Sequence, residues 1–191
     1  MKIKICGLTR PCDIEAVNVE KPDYIGFVFA ESRRRVSPGQ AENLRKILSA
    51  GIIPVGVFLN EPAENILALV YSGIIDVIQL HGSESEEYIR ELKRLADKPV
   101  IKANGYSGAA DYLLFDNIVP GSGQVFDWNI IGEPGKPYFL AGGLNLENIG
   151  EAIAQTAPFG VDVSSGVETG GFKDPVKIKE FIRRVRNNNG K

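Results

Sequence analysis

Cys6 is the residue of this chain best suited to take a proton or attack carbon. It closes an apolar run, Ile3–Gly7 (IKICG), and is followed by glycine. A thiolate acts as a base or nucleophile when nearby positive charge or backbone dipoles lower its pKa from about 8.5. The same residue can equally be a small buried hydrophobe. Asp127 stands between Phe126 and Trp128. It suits a helix cap or, partly desolvated by its aromatic neighbours, a carboxylic acid with a raised pKa. Asp162 lies within another apolar run. It must pair, face a cavity or hold a proton, because a lone buried carboxylate is costly. Arg33-Arg34-Arg35 is either a solvated charge run or the source of one inward guanidinium for a carboxylate. His81 is the only histidine, and alone it fits a structural role. Gly121-Ser122-Gly123, Gly142-Gly143 and Ser164-Ser165-Gly166 can present main-chain N–H groups to a phosphate, or simply make tight turns.

Almost all of these residues sit at the ends of short β-branched runs. Eight such runs occur: Ile3–Gly7, Tyr24–Phe29, Ile53–Leu59, Val77–Gly82, Val100–Gly105, Tyr112–Asn117, Tyr138–Gly143 and Gly160–Gly166. Most are followed by helical spacing. The runs are apolar throughout rather than alternating, as expected of parallel strands covered on both faces. This predicts an α/β fold, a (βα)8 TIM barrel, with chemistry at the carboxyl ends of its strands. An open doubly wound sheet is the competing architecture. In a closed barrel, Cys6 and Asp127 face each other across the mouth although they are far apart in sequence.

The spacing predicts helices near Cys12–Glu20, Pro38–Leu48, Pro62–Tyr71 and, capped by Ser85, one with Ile89, Leu92, Leu95 and Ala96 on one face. Asn104–Ala110 (NGYSGAA) has hardly room for a helix, so the fifth helix is expected to be reduced to a loop. Asp127 opens a brief sixth helix, Asn145 caps Leu146–Gln155, and Thr169–Phe172 is a glycine-rich loop. The last helix spans Pro175–Arg186 with Ile178, Phe181, Ile182 and Val185 inward, and Asn187–Lys191 is expected to fray.

The chain has 191 residues, 43% of them hydrophobic and 24% charged. One domain, 1–191, is expected, with no linker. The net charge of −2 gives no reason to expect nucleic acid or an acidic membrane as partner. Two cysteines, Cys6 and Cys12, make neither a disulfide framework nor, with one histidine, a good metal set. Free thiols and the lack of a signal-like start or a spanning apolar run point to the cytoplasm.

The motifs in order resemble the phosphoribosylanthranilate isomerase family. Lys4–Thr9 (KICGLT) is similar to its opening K-I-C-G-I/L-T, and Gly26–Phe29 with Ser32–Pro38 to its second strand and S-x-R-x-V/I-S-P turn. Val55–Phe58, Gln79–Gly82, Phe126–Trp128, Gly142–Asn145 and Asp162–Glu168 continue the series. Ala141 stands where the family often has serine, and Arg35 where an aromatic is common. The resemblance implies a barrel without cofactor or metal, working on a small phosphorylated substrate as a monomer or homodimer. It implies an Amadori rearrangement with Cys6 as general base and Asp127 as general acid. Arg34 is implied to bind the anthranilate carboxylate. His81 and Asp162 are implied to touch substrate, and the late glycine loops to hold the phosphate. Two other readings remain: a different phosphosugar isomerase or epimerase, and a non-catalytic binder of a phosphorylated metabolite.

Overall fold

The computed structural model describes residues 1–116 and 127–188. Its strands are β1 (Lys2–Cys6), β2 (Tyr24–Val28), β3 (Ile53–Phe58), β4 (Val77–Leu80), β5 (Val100–Ala103), β6 (Tyr112–Phe115), β7 (Tyr138–Leu140) and β8 (Gly160–Val163). They pair in parallel in sequence order, and β8 returns to β1, so the barrel is closed. Closure leaves no exposed edge and makes the order of strands around the mouth the order along the chain. The open-sheet alternative is thereby excluded.

The helices are α1 (Pro11–Glu20), α2 (Pro38–Lys46), α3 (Ala63–Tyr71), α4 (Glu86–Ala96), α5 (Ile149–Thr156) and α6 (Pro175–Asn188). Pro38 opens α2, and Ser37 forms a capping box with Gln40. Ser85 caps α4 by accepting from the Tyr88 N–H. The connection from β5 to β6 contains no helix, as its glycines and length foretold. No helix among the described residues is long and apolar enough to cross a membrane.

Four local expectations need correction. Leu95 is 37% exposed. It sits at the edge of the α4 stripe, where Ile89, Leu92 and Ala96 already fill the contact with the sheet. Asn145 caps a turn rather than the helix: its Oδ1 accepts from the N–H groups of Glu147 and Asn148, and α5 begins only at Ile149. Thr169–Phe172 is the tip of a hairpin, with β9 (Glu168–Thr169) antiparallel to β10 (Phe172–Lys173). The frayed end expected from Asn187 is helical to Asn188, and residues 189–191 lie outside the described ones.

Side chains alternate along each strand. Ile3, Ile5, Ile25 and Phe27 pack outward against the helices in the main core. Each full burial of such a side chain contributes roughly 1.5–3 kcal/mol. A second apolar cluster, including Tyr24, Val55, Val77, Ile101, Leu114 and Phe139, fills the barrel interior. The interior positions of β1 are the other set, and there Lys4 and Cys6 stand two residues apart on one face. The apolar plug thus gives way to polar groups toward the carboxyl ends.

Candidate active site

A cavity of about 470 Å³ opens at the carboxyl ends of the strands. This is within the range of small-molecule sites. Cys6, Arg34, His81, Asp162, Gly142, Gly143, Ser164 and Ser165 all line it. Gly166 does not; it packs behind the lining, so close to Leu144 that a Cβ there would lie 1.9 Å from that carbonyl oxygen. Gly121, Ser122 and Gly123 fall outside the described residues. Asp127 is exposed and is not among the lining residues. It caps the 3₁₀ turn Trp128–Ile131, its Oδ1 accepting from the Asn129 N–H at 3.0 Å and Nδ2 at 2.7 Å. Arg35 points away and pairs with Glu31.

Cys6 ends β1 beside Gly26 of β2. A Cβ at Gly26 would lie 2.6 Å from the Cys6 sulfur, so glycine is what leaves the thiol its room. The Ser164 hydroxyl donates to the Cys6 carbonyl at 3.0 Å and fixes the strand end. Burial pushes the thiol above its ordinary value. The Lys4 and Lys173 ammoniums pull the other way, while the Asp162 carboxylate adds to the rise. The positive charge expected near the thiol is present, but dehydration outweighs it.

Beneath Cys6, Lys4 is fully buried and donates to Asp162 Oδ2 at 2.7 Å. Burial alone would lower Lys4, but its attraction to Asp162 and Cys6 outweighs this and raises it. Asp162 Oδ1 is buried without a hydrogen-bond partner among the described residues. Of the three alternatives set by its sequence context the carboxylate takes two: it pairs, and it lines a cavity with one oxygen to spare.

His81 is mostly buried, which lowers its pKa, with Lys4 adding to the effect. Its Nδ1 lies 3.3 Å from Gln79 Nε2, and its Nε2 lies 3.6 Å from Asp116 Oδ2. Asn104 Nδ2 also approaches His81 Nε2 at 3.5 Å, so amide groups face both ring nitrogens. Asp116 follows β6 and also lines the cavity.

Sequence reasoning missed Lys4, Asp116, Glu168 and Lys173. Lys4 carried a usable signal, since a charged residue amid an apolar strand, two places before Cys6, must share its face. Glu168 closes a motif that bears the family resemblance but has no role of its own there, and Lys173 carries no signal, because the hairpin that turns both inward looks like a glycine-rich loop in the sequence. Among the described residues, no group of histidine, cysteine or carboxylate side chains is arranged to hold a metal ion.

Comparison with known proteins agrees with this fold. A family model described as "PRAI: N-(5'phosphoribosyl)anthranilate (PRA) isomerase" matches residues 3–184. The chain is 47% identical to N-(5'-phosphoribosyl)anthranilate isomerase of Endomicrobium trichonymphae, covering 97% of this chain and 98% of that protein. It is similar to a phosphoribosyl anthranilate isomerase solved in complex with reduced 1-(o-carboxyphenylamino)-1-deoxyribulose 5-phosphate, at 36% identity and a TM-score of 0.84, over 98% of this chain and 99% of that one. Monomers generated from the dimeric isomerase of Thermotoga maritima match with a TM-score of 0.85 and 36% identity, over 98% of this chain and 99% of theirs.

Proposed function

This chain belongs to the N-(5'-phosphoribosyl)anthranilate isomerase family, and we propose that it works by general acid–base catalysis with Cys6 as base and Asp127 as acid. It is an isomerase of tryptophan biosynthesis. The reaction turns N-(5-phosphoribosyl)anthranilate into 1-(2-carboxyphenylamino)-1-deoxyribulose 5-phosphate. The observation that supports the base and substrate-binding roles is the shared cavity, where Cys6 of β1, Asp162 of β8 and Arg34 after β2 meet the glycine loop after β7; the acid role of Asp127 rests on the family resemblance.

Asp127 protonates the ribose ring oxygen, and the ring opens to an iminium. The iminium withdraws electrons from the adjacent C2–H bond, and the Cys6 thiolate takes that proton. The enolamine then loses its hydroxyl proton and gains one at C1, giving the amino ketone. Electrons move only within the substrate, so the steps call for no external redox group.

Arg34 is read as the clamp for the aromatic carboxylate. Asp162 Oδ1, lacking a partner among the described residues, is read as the acceptor for a sugar hydroxyl or the substrate nitrogen. His81 is read as a neutral neighbour of the substrate. Main-chain groups of Gly142, Gly143, Ser164 and Ser165 are read as the phosphate grip, with Gly166 behind it. The reading is the same for a monomer or a homodimer, and dimeric is the word used of the Thermotoga maritima relative. The compartment we infer is the cytoplasm, where Cys6 stays a free thiol.

For Asp127 to serve as the acid, its carboxylate must leave Asn129 and turn toward the substrate. A second reading is favoured by the lining of the cavity: Asp116, at the mouth after β6, is the acid instead. Asp127→Asn separates them, because asparagine caps a helical turn as well as aspartate does. A fluorescence assay following loss of phosphoribosylanthranilate by the purified chain, with no added metal, should show kcat lowered about a hundredfold. The lower end of the usual range applies because Asp127 is exposed and water can replace it in part. Near-normal turnover with Asp127→Asn, together with loss in Asp116→Asn, would transfer the acid role to Asp116.

A further inference from the structure

We propose that Glu168 is a positioning residue that presents Arg34 to the substrate's aromatic carboxylate, with Lys173 bracing it from behind. The proposal rests on the reading of Arg34 as the carboxylate clamp. Glu168 opens the hairpin that follows β8, and its side chain is 5% exposed. Its Oε1 accepts from Arg34 Nε at 2.7 Å and Lys173 Nζ at 2.6 Å. Its Oε2 accepts from Arg34 Nη2 at 3.0 Å and Arg33 Nη2 at 2.7 Å. This carboxylate is saturated.

The guanidinium is not. Its planar fork carries five N–H donors. Glu168 takes the Nε–H and one Nη2–H, along one side of the plane. Among the described residues, both Nη1 hydrogens and the second Nη2 hydrogen remain, and they form the end-on fork that fits a second carboxylate. Arg34 lines the cavity. Its stem is held from the other side too, because a Cβ on Gly7 would lie 2.5 Å from Arg34 Cδ. Three cations, Arg33, Arg34 and Lys173, surround one carboxylate, so the cluster keeps surplus positive charge for an anionic ligand.

The brace also reaches the base. Lys173 Nζ donates to the Ser164 carbonyl at 2.9 Å, and Ser164 Oγ donates to the Cys6 carbonyl at 3.0 Å. One chain of hydrogen bonds therefore fixes the clamp relative to the strand end that carries the thiol. Without Glu168, mutual repulsion of the three cations would swing Arg34 off its line.

The test uses two stable reduced product analogues, one with the ring carboxylate and one with plain aniline in its place, titrated by calorimetry. The ratio of their Kd values reads the clamp alone. Loss of the carboxylate should cost the native protein about thirtyfold or more in affinity, as for a charge-assisted bond. Arg34→Ala should bring the ratio close to one. Glu168→Gln, which turns an N–H toward the guanidinium, should reduce it to a few-fold, and Lys173→Met to an intermediate value. An Arg34→Ala protein that keeps the native ratio would remove the clamp reading itself. A ratio that collapses in Arg34→Ala but stays native in Glu168→Gln would overturn the positioning role while leaving the clamp intact. Should Glu168→Gln fail to fold by circular dichroism, Lys173→Met decides the matter, and a native ratio there overturns the brace.

Discussion

Cys6→Ala should fold normally and lose about 10³- to 10⁴-fold in kcat, the upper part of the range for a positioned general base. The loss is large because Lys4, Asp162 and His81, ionisable neighbours of the sulfur among the described residues, are poor replacements for it. Lys4 is protonated and paired, Asp162 already accepts from it, and the pKa of His81 is lowered by burial. Alanine leaves a small gap beside Gly26 and gives up the thiol's contact with the Lys4 ammonium, but Lys4 keeps its bond to Asp162, so stability should change little. The pH profile follows from the direction of the thiol's shift. Burial raises Cys6, so the free enzyme holds the thiol protonated at neutral pH. The basic fraction grows as pH rises, and kcat/KM should climb through and beyond the ordinary thiol value. In the complex the cationic iminium favours the thiolate, so the corresponding limb of kcat should lie at lower pH. Cys6→Ser should lack both limbs, because a serine hydroxyl does not ionise there. Turnover of Cys6→Ala within tenfold of native would take the base role from Cys6.

Much of this was readable before any coordinates. Seven of the eight runs contain their strands whole and β1 begins one residue ahead of its run, because a parallel strand covered on both faces needs continuous apolar sequence, and turn residues mark its end. The barrel then placed Cys6, Arg34, His81 and Asp162 around one mouth, since strand ends share a rim whatever their distance in sequence. The missing fifth helix followed from two glycines in a connection too short for helical turns. What stayed hidden depends on side-chain partners far apart in the chain. Lys4 and Asp162 are 158 residues apart, and Arg34 and Glu168 are 134 apart. Periodicity specifies which face a residue occupies but not which remote charge it meets. Leu95 shows the limit within a helix, where spacing alone could not tell the centre of a stripe from its edge. Asp127 shows another: the sequence allowed either a cap or an acid desolvated by its aromatic neighbours, and only the folded chain shows the exposed carboxylate capping its turn.

Lys4→Met should destabilise the protein by about 3–5 kcal/mol, as expected when one partner of a buried ion pair is removed. The methionine fills the space but leaves Asp162 with both oxygens unpaired inside the barrel, where Oδ1 already has no hydrogen-bond partner among the described residues. Urea unfolding of the two proteins measures the gap. Lys4→Met/Asp162→Asn should recover much of the loss, because the cost lies in the stranded carboxylate rather than in the missing ammonium. The pH dependence has a definite sign. Lys4 is raised above its ordinary 10.5 in the folded state. Its contribution is therefore complete below that value and fades only as pH climbs through the raised one, so the gap should hold from neutrality to about pH 10 and narrow above it. The same substitution reaches the chemistry. Lys4 is the main charge opposing the rise of the Cys6 thiol, so its removal should move the rising limb of kcat/KM further toward alkaline pH. A Lys4→Met protein within 1 kcal/mol of native stability and with an unmoved limb would mean that the buried pair neither anchors the barrel mouth nor tunes the thiol.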